Sequence, residues 1–208
     1  MKLVALSNKL VLRFAGGAYE FIKQYSTNVP EAPQNAFIDL KGRIVATFEQ
    51  KKNGDDMLAI IEKQFLERLK NHLRVYLDIS GTKMEETRFK AYFDLEPDTF
   101  CLREKAPQAF EIGQKKGRIL LPLPEGADLS GAEVSAEEFT SFRLKHGIPV
   151  QGVDYDRELL LNVGDEEFVS YTKGCYLGQE IIARVHHLGK PPKKLAVRSG
   201  RFDFIPNL

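Results

Sequence analysis

The sequence predicts an α+β fold, a mixed α and β opening followed by a ferredoxin-like segment, and three observations carry that prediction. Short β-rich runs alternate with stretches of helical spacing. Residues from about 51 to 123 read in the order β-α-β-β-α-β. The chain, 208 residues with 43% hydrophobic, suffices for one generous core or two modest ones.

Each element follows from local pattern. "KLVLRF" (9–14) reads as a strand, and in "GGAYEFIKQYSTN" (16–28) Ala18, Phe21, Ile22 and Tyr25 fall at helical spacing, ending before Pro30. "NAFIDLKGRIVATFE" (35–49) is two β-rich runs around Lys41 and Gly42, a hairpin signal. After the polar turn "KKNGDD", the run "MLAII" predicts a strand, and "KQFLERLKNHL" a helix with Phe65, Leu66, Leu69 and Leu73 on one face. "VYLDI" (75–79) and "RFKAYFDL" (88–95) predict strands, "APQAFEIGQ" (106–114) a short helix and "GRILLPL" (117–123) a last strand. Ser135 and Glu138 form an S-x-x-E capping box opening "AEEFTSFRLKH", which Gly147 and Pro149 stop.

Bulk charge excludes some partners. Thirty Lys and Arg against 29 Asp and Glu leave a formal +1, so no global field favours nucleic acid or an anionic membrane, although acids concentrate over 151–167 and bases towards the end. "GKPPKK" (189–194) reads as a solvated basic surface, since no aromatic platform for base stacking accompanies it. No stretch approaches the roughly 18 uncharged apolar residues of a membrane span, and Ser7, Asn8 and Lys9 interrupt the opening apolar run, unlike a signal peptide. The two cysteines, Cys101 and Cys175, belong to no CxxC pair, so no disulfide framework is expected, and the expected compartment is the reducing cytoplasm. Cys101, in "DTFCLREK", is expected to pack in a core strand.

"KGCYLGQE" (173–180) is the chemically informative stretch. A helix is expected from the run "EIIARV" just beyond. Its N-terminal amides and Lys173 would both favour thiolate over thiol at Cys175. Glycines on either side suit close backbone approach, Tyr176 could stack on a flat heterocycle, and Gln179 and Glu180 could read its donors and acceptors. The alternative reading makes Cys175 a small buried hydrophobe and pairs Glu180 with Arg184 along the helix surface. His186 and His187 are adjacent, which fits surface positions better than the spaced pairs of a structural zinc site.

"KGCYLGQEIIAR" closely resembles the signature of the folate-binding YgfZ-type family, which includes mitochondrial iron–sulfur cluster assembly factors and is related to the aminomethyltransferase of glycine cleavage. "RVHHLGKPPKKL", "FRLKHGIP" and "AFIDLKGRIVATF" resemble further family segments, in the family's order. The resemblance implies a folate-sized cleft between two intertwined units of the aminomethyltransferase-like fold. One combines residues 1–50 with 120–208, and the other, ferredoxin-like, spans 51–119. It implies tetrahydrofolate as ligand, held by Lys173, Tyr176, Gly178, Gln179, Glu180 and Arg184. It also implies a role in assembly or repair of 4Fe–4S enzymes alongside iron–sulfur carrier or client proteins. Cys175 would face the cleft as a thiolate engaging iron, a cluster or a reactive adduct transiently.

Familiar members continue into a C-terminal β-barrel, whereas this chain ends soon after "KKLAVRSG", implying a short version whose cleft is open on one side. Aminomethyltransferase activity is not expected, because Ala46 and Thr47 stand where the relatives carry aspartates and neither can act as a carboxylate. Two other readings stay open: a folate-binding regulatory module in which Cys175 is structural, and a thiol enzyme pairing Cys175 with His186 or His187.

Overall fold

The computed structural model describes residues 2–96, 108–164 and 167–207. In chain order it contains strands Lys2–Ala5 (β1) and Lys9–Ala15 (β2), helix Ala18–Tyr25 (α1), and strands Gln34–Ile38 (β3), Ile44–Asn53 (β4) and Asp56–Glu62 (β5). A turn of 3-10 helix, Lys63–Phe65, leads into helix Leu66–Ser80 (α2). Strands Lys83–Glu86 (β6), Tyr92–Asp94 (β7), Ala109–Gly113 (β8), Arg118–Pro122 (β9) and Ala132–Glu133 (β10) follow. Helices Ala136–His146 (α3), Leu160–Val163 (α4) and Gln179–His187 (α5) precede a hairpin of Lys193–Arg198 (β11) and Arg201–Pro206 (β12).

Two five-stranded sheets form the frame, ordered β3-β4-β5-β2-β6 and β10-β1-β7-β9-β8. Strand alternation explains how they stack. Leu12 and Phe14 of β2 with Met57, Ala59 and Ile61 of β5 face α1 and α2, where Phe21, Ile22, Leu69 and Leu73 meet them. Val11, Leu58 and Ile60, on the opposite face of the same strands, pack against Phe93, Ile112, Ile119 and Leu121 of the second sheet. The central strands are therefore buried on both faces. A third cluster joins Ala36, Ile38 and Ile44, at one end of β3 and β4, to Leu160, Leu161, Tyr176 and Ile182. That cluster seats the thiol loop on the frame.

The α+β class stands, while two elements differ from expectation. Residues 75–79 are not a strand but the last turns of α2, because Leu69, Leu73, Tyr76 and Leu77 continue the helical spacing onto the core while Val75 and Ile79 face outward. The expected short helix over 106–114 is instead strand β8 from residue 109: Phe110 and Ile112, two apart, both pack into the inter-sheet core, and β8 pairs with β9. The chain thus runs β5, α2, β6, β7, β8, β9 among the described residues, with β5 and β6 in one sheet and β7 to β9 in the other. The boundary expected at residue 50 falls inside β4. Cys101 lies outside the described residues. No helix among the described residues is long and apolar enough to cross a membrane.

The serine half of the capping box forms: Ser135 Oγ accepts from the Glu138 backbone N–H at 3.1 Å, while the Glu138 carboxylate pairs with Lys2 at 3.4 Å, and Gly147 closes α3 in the left-handed region. The helix then lays Phe139 and Phe142 against Phe93, at ring separations of 5.2 and 5.8 Å. Ser135→Ala should cost about 1 kcal/mol, read as a lower urea midpoint at unchanged slope.

Candidate functional site

The loop from Ser170 to Gly178 returns from the frame to α5, and it carries both anchoring side chains and an exposed thiol. Tyr176 is buried against Ile38, Ile44 and Ile182, which pushes its hydroxyl pKa up. Gln179 closes the turn on itself: its Oε1 accepts from the Tyr176 N–H at 3.3 Å and its N–H donates to the Tyr176 carbonyl at 3.2 Å. Gly178 caps α5 at φ +80°, and a Cβ there would lie 2.6 Å from the Asp39 carbonyl oxygen in the β3–β4 turn. The close backbone approach this glycine permits is to the chain's own hairpin. Cys175 alone among these is a free, exposed thiol.

Lys173 is half-buried, its ammonium 4.8 Å from the centre of the Tyr176 ring. Its Nζ donates to the carbonyls of Ser26 at 2.6 Å and Asn28 at 3.0 Å, just beyond the end of α1. Burial, reinforced by the nearby Lys23 charge, pushes its pKa down to about 8. The amine is thus committed to fastening the loop.

A cavity of about 550 Å³ lies between the two sheets. The β1–β2 loop, β4 around Phe48, α3 through Phe139 and Arg143, the 147–155 loop, Glu167 with Phe168, and Phe202 of the C-terminal hairpin wall it. Lys9 sits on this wall between two carboxylates, 2.9 Å from Glu49 Oε2 and 3.3 Å from Glu62 Oε1, all three largely buried. Burial raises the Glu62 pKa more than Lys9 lowers it. Burial also pulls the Lys9 pKa down, but Glu49 and Glu62 outweigh it and leave that pKa raised. Beside them Gln151 Oε1 accepts from the Thr47 N–H at 2.8 Å, and the Thr47 and Tyr155 hydroxyls lie 2.8 Å apart. Arg143 donates to Asp154 at 2.7 Å.

The structure therefore brings the sequence-identified residues together in one loop but not at this cavity: none of Lys173, Cys175, Tyr176, Gly178, Gln179, Glu180 and Arg184 lines it. Cys175 does not face it, because Tyr176 turns inward and leaves the preceding residue on the outside. Tyr176 presents no face for stacking, since the apolar cluster covers its ring. Glu180 and Arg184 pair with each other at 2.7 Å on the surface of α5, as the alternative reading has it, whereas Cys175 is exposed and not a buried hydrophobe. His186 stacks on Tyr171 at 3.8 Å. No group of three or more His, Cys, Asp or Glu capable of holding a metal ion occurs among the described residues. The carboxylates that sequence reasoning missed, Glu49 and Glu62, carried a faint signal. Glu62 directly follows the apolar run 57–61 of its strand, and Glu49 shares a strand face with Thr47.

No family model matches this chain. Curated relatives do. The chain is 36% identical over 103 residues to the mitochondrial iron–sulfur cluster assembly factor IBA57 homolog of Neosartorya fischeri, covering 46% of this chain and 23% of that protein. It is 35% identical over 110 residues to mitochondrial IBA57 of Mus musculus, covering 49% and 28%. The match thus spans about a quarter of those relatives' length. In structure the chain is similar to the glycine cleavage system aminomethyltransferase T of Bartonella henselae, with TM-score 0.71 and 12% identity, over 93% of this chain and 65% of the other. That likeness establishes an aminomethyltransferase fold. The cytoplasmic location expected from the sequence is overturned by these relatives, which are mitochondrial by name.

Proposed function

We propose, from its homology to the IBA57 iron–sulfur cluster assembly factors and its aminomethyltransferase T fold, that this chain serves iron–sulfur cluster assembly in the compartment of those relatives. In this reading Cys175 is the thiol that engages iron or a cluster in transit. The observation that carries it is the contrast within the motif: Lys173, Tyr176, Gly178 and Gln179 are each spent on anchoring, whereas Cys175 is a free, exposed thiol. Clusters are held by several thiolates, so a single exposed cysteine engages one only jointly with ligands from a second molecule. The partner is then a thiol-bearing carrier or client protein.

The inter-sheet cavity supports a folate ligand for the same protein. Its volume falls within the range of about 300–1,000 Å³ usual for small-molecule sites. Phe139 and Phe202 offer apolar faces to a flat ring, while Glu49, Glu62 and Thr47 offer acceptors to its N–H edge. These residues, rather than the thiol loop, would hold a tetrahydrofolate, which when bound supplies one-carbon chemistry.

Cys175→Ser tests the proposal in cells lacking their own family member. Rescue of 4Fe–4S enzyme activity should be lost, while the purified variant keeps the wild-type unfolding midpoint and tetrahydrofolate binding. Undiminished rescue would assign the protein to folate binding alone, without a working thiol.

A further inference from the structure

Between cavity and thiol loop runs a rack of buried polar groups. Ser26, Thr27, Asn28, Asn35 and Gln50 are 0, 0, 7, 0 and 3% exposed. On the cavity side, Thr27 Oγ1 donates to the Phe168 carbonyl at 2.6 Å and Asn28 Nδ2 to the Glu167 carbonyl at 2.9 Å, and both acceptor residues are in the cavity wall. On the thiol side, the Ser26 and Asn28 carbonyls accept from Lys173 Nζ, and the Thr27 carbonyl accepts from the Ser170 N–H at 3.0 Å. Behind the rack, Asn35 Oδ1 accepts from the Asn28 N–H at 2.7 Å, and Gln50 Nε2 donates to the Val29 and Ala32 carbonyls. Residues 26–28 thus pin the strap 167–173 at both ends and in its middle.

We propose that Lys173 is a positioning residue for Cys175, and that its anchorage on residues 26–28 ties the thiol loop to the cavity wall at Glu167 and Phe168. The inference rests on the reading of Cys175 as a working thiol. A buried donor or acceptor left without its partner is costly, so a displaced wall carbonyl draws Thr27 and Asn28 with it instead of parting from them. The same residues hold Lys173, two positions before the sulfur. Filling the cavity and presenting the thiol then become one event.

Amide hydrogen exchange and Cys175 alkylation by iodoacetamide, in the full chain, test this. Lys173→Met should speed exchange about tenfold across 170–178, and the effect should spread through the rack to 167–169, with Lys173→Arg largely restoring both. Thr27→Val, which removes the short bond to Phe168 together with the longer contacts of the same hydroxyl to the Ala36 carbonyl and Asn35 Oδ1, should loosen 170–176 as well. Tetrahydrofolate should change the alkylation rate of the wild type, and Thr27→Val should abolish that response with its folate affinity kept. Faster exchange confined to the immediate neighbours of Lys173, or a Thr27→Val variant that responds to tetrahydrofolate like wild type, overturns the coupling. Absence of tetrahydrofolate binding to the wild type sinks the folate reading alone, since the ligand-free comparison still decides the proposal.

Discussion

Lys9→Met is expected to destabilise the protein by about 3–5 kcal/mol, the usual consequence of removing one partner from a buried ion pair. Lys9 is the cation between Glu49 and Glu62, whose side chains are 15% and 10% exposed. Methionine matches the lysine stem in length and keeps its packing, so the loss is electrostatic. Two carboxylates are left facing each other with little water to screen them. The sign of the pH dependence follows from their protons. Burial already raises the Glu62 pKa in the folded state and loss of Lys9, which lowers it, raises it further, so lowering the pH from 7 into the ordinary glutamate range adds protons preferentially to the folded form and narrows the deficit. Urea unfolding at pH 7 and pH 5 reads both effects. A deficit that stays constant or widens on acidification contradicts the assignment of a charge-driven loss. Lys9→Met with Glu62→Gln should recover part of the stability at pH 7, because only one carboxylate then remains.

Gly178→Ala is the second large effect, about 1–3 kcal/mol from backbone conformation, with a steric clash added. The residue sits at φ +80°, and the new Cβ would meet the Asp39 carbonyl oxygen at 2.6 Å and Ile38 Cδ1 at 3.0 Å. The first is main chain in a hydrogen-bonded turn, where Asp39 also accepts from the Gly42 N–H at 2.9 Å, so it cannot swing aside. Relief requires the start of α5 to lift off the β3–β4 hairpin, carrying Tyr176 out of its cluster. Gly174→Ala is the control, since nothing lies within 4 Å of a Cβ there and its φ is not in the left-handed region. Thermal unfolding should show a lower Tm for Gly178→Ala and little change for Gly174→Ala. Equal effects would show that the motif's two glycines serve the same purpose, against the geometry.

Much of this was legible because it is local. The strand at 9–14, the helix with Phe21 and Ile22, the hairpin at Gly42 and the cap at Ser135 each rest on contacts within a few residues, and each forms where the pattern puts it. The run 75–79 misled because β-branched Val75 and Ile79 suggest a strand, whereas the spacing of Leu69, Leu73 and Leu77 across a packed helix face decides the outcome. The thiol loop could be found because its anchors and its sulfur are contiguous. The direction each side chain takes could not, since Tyr176 and Gln179 look equally available on paper and both are consumed by packing or turn closure.

The amino-acid order by itself determined that this protein is α+β, that a cysteine lies on a glycine-flanked turn before a helix, and that this stretch resembles the YgfZ-type signature, because those features are encoded over short stretches. Only the tertiary structure decided that the cavity and the thiol are separate places joined by residues 26–28. Lys9, Glu49 and Glu62 come from three strands, and "STN" after a helix reads as an ordinary polar loop until a sheet and a returning strap bury it. Burial changes what a polar side chain can do, and burial is a property of segments far apart in the chain coming together.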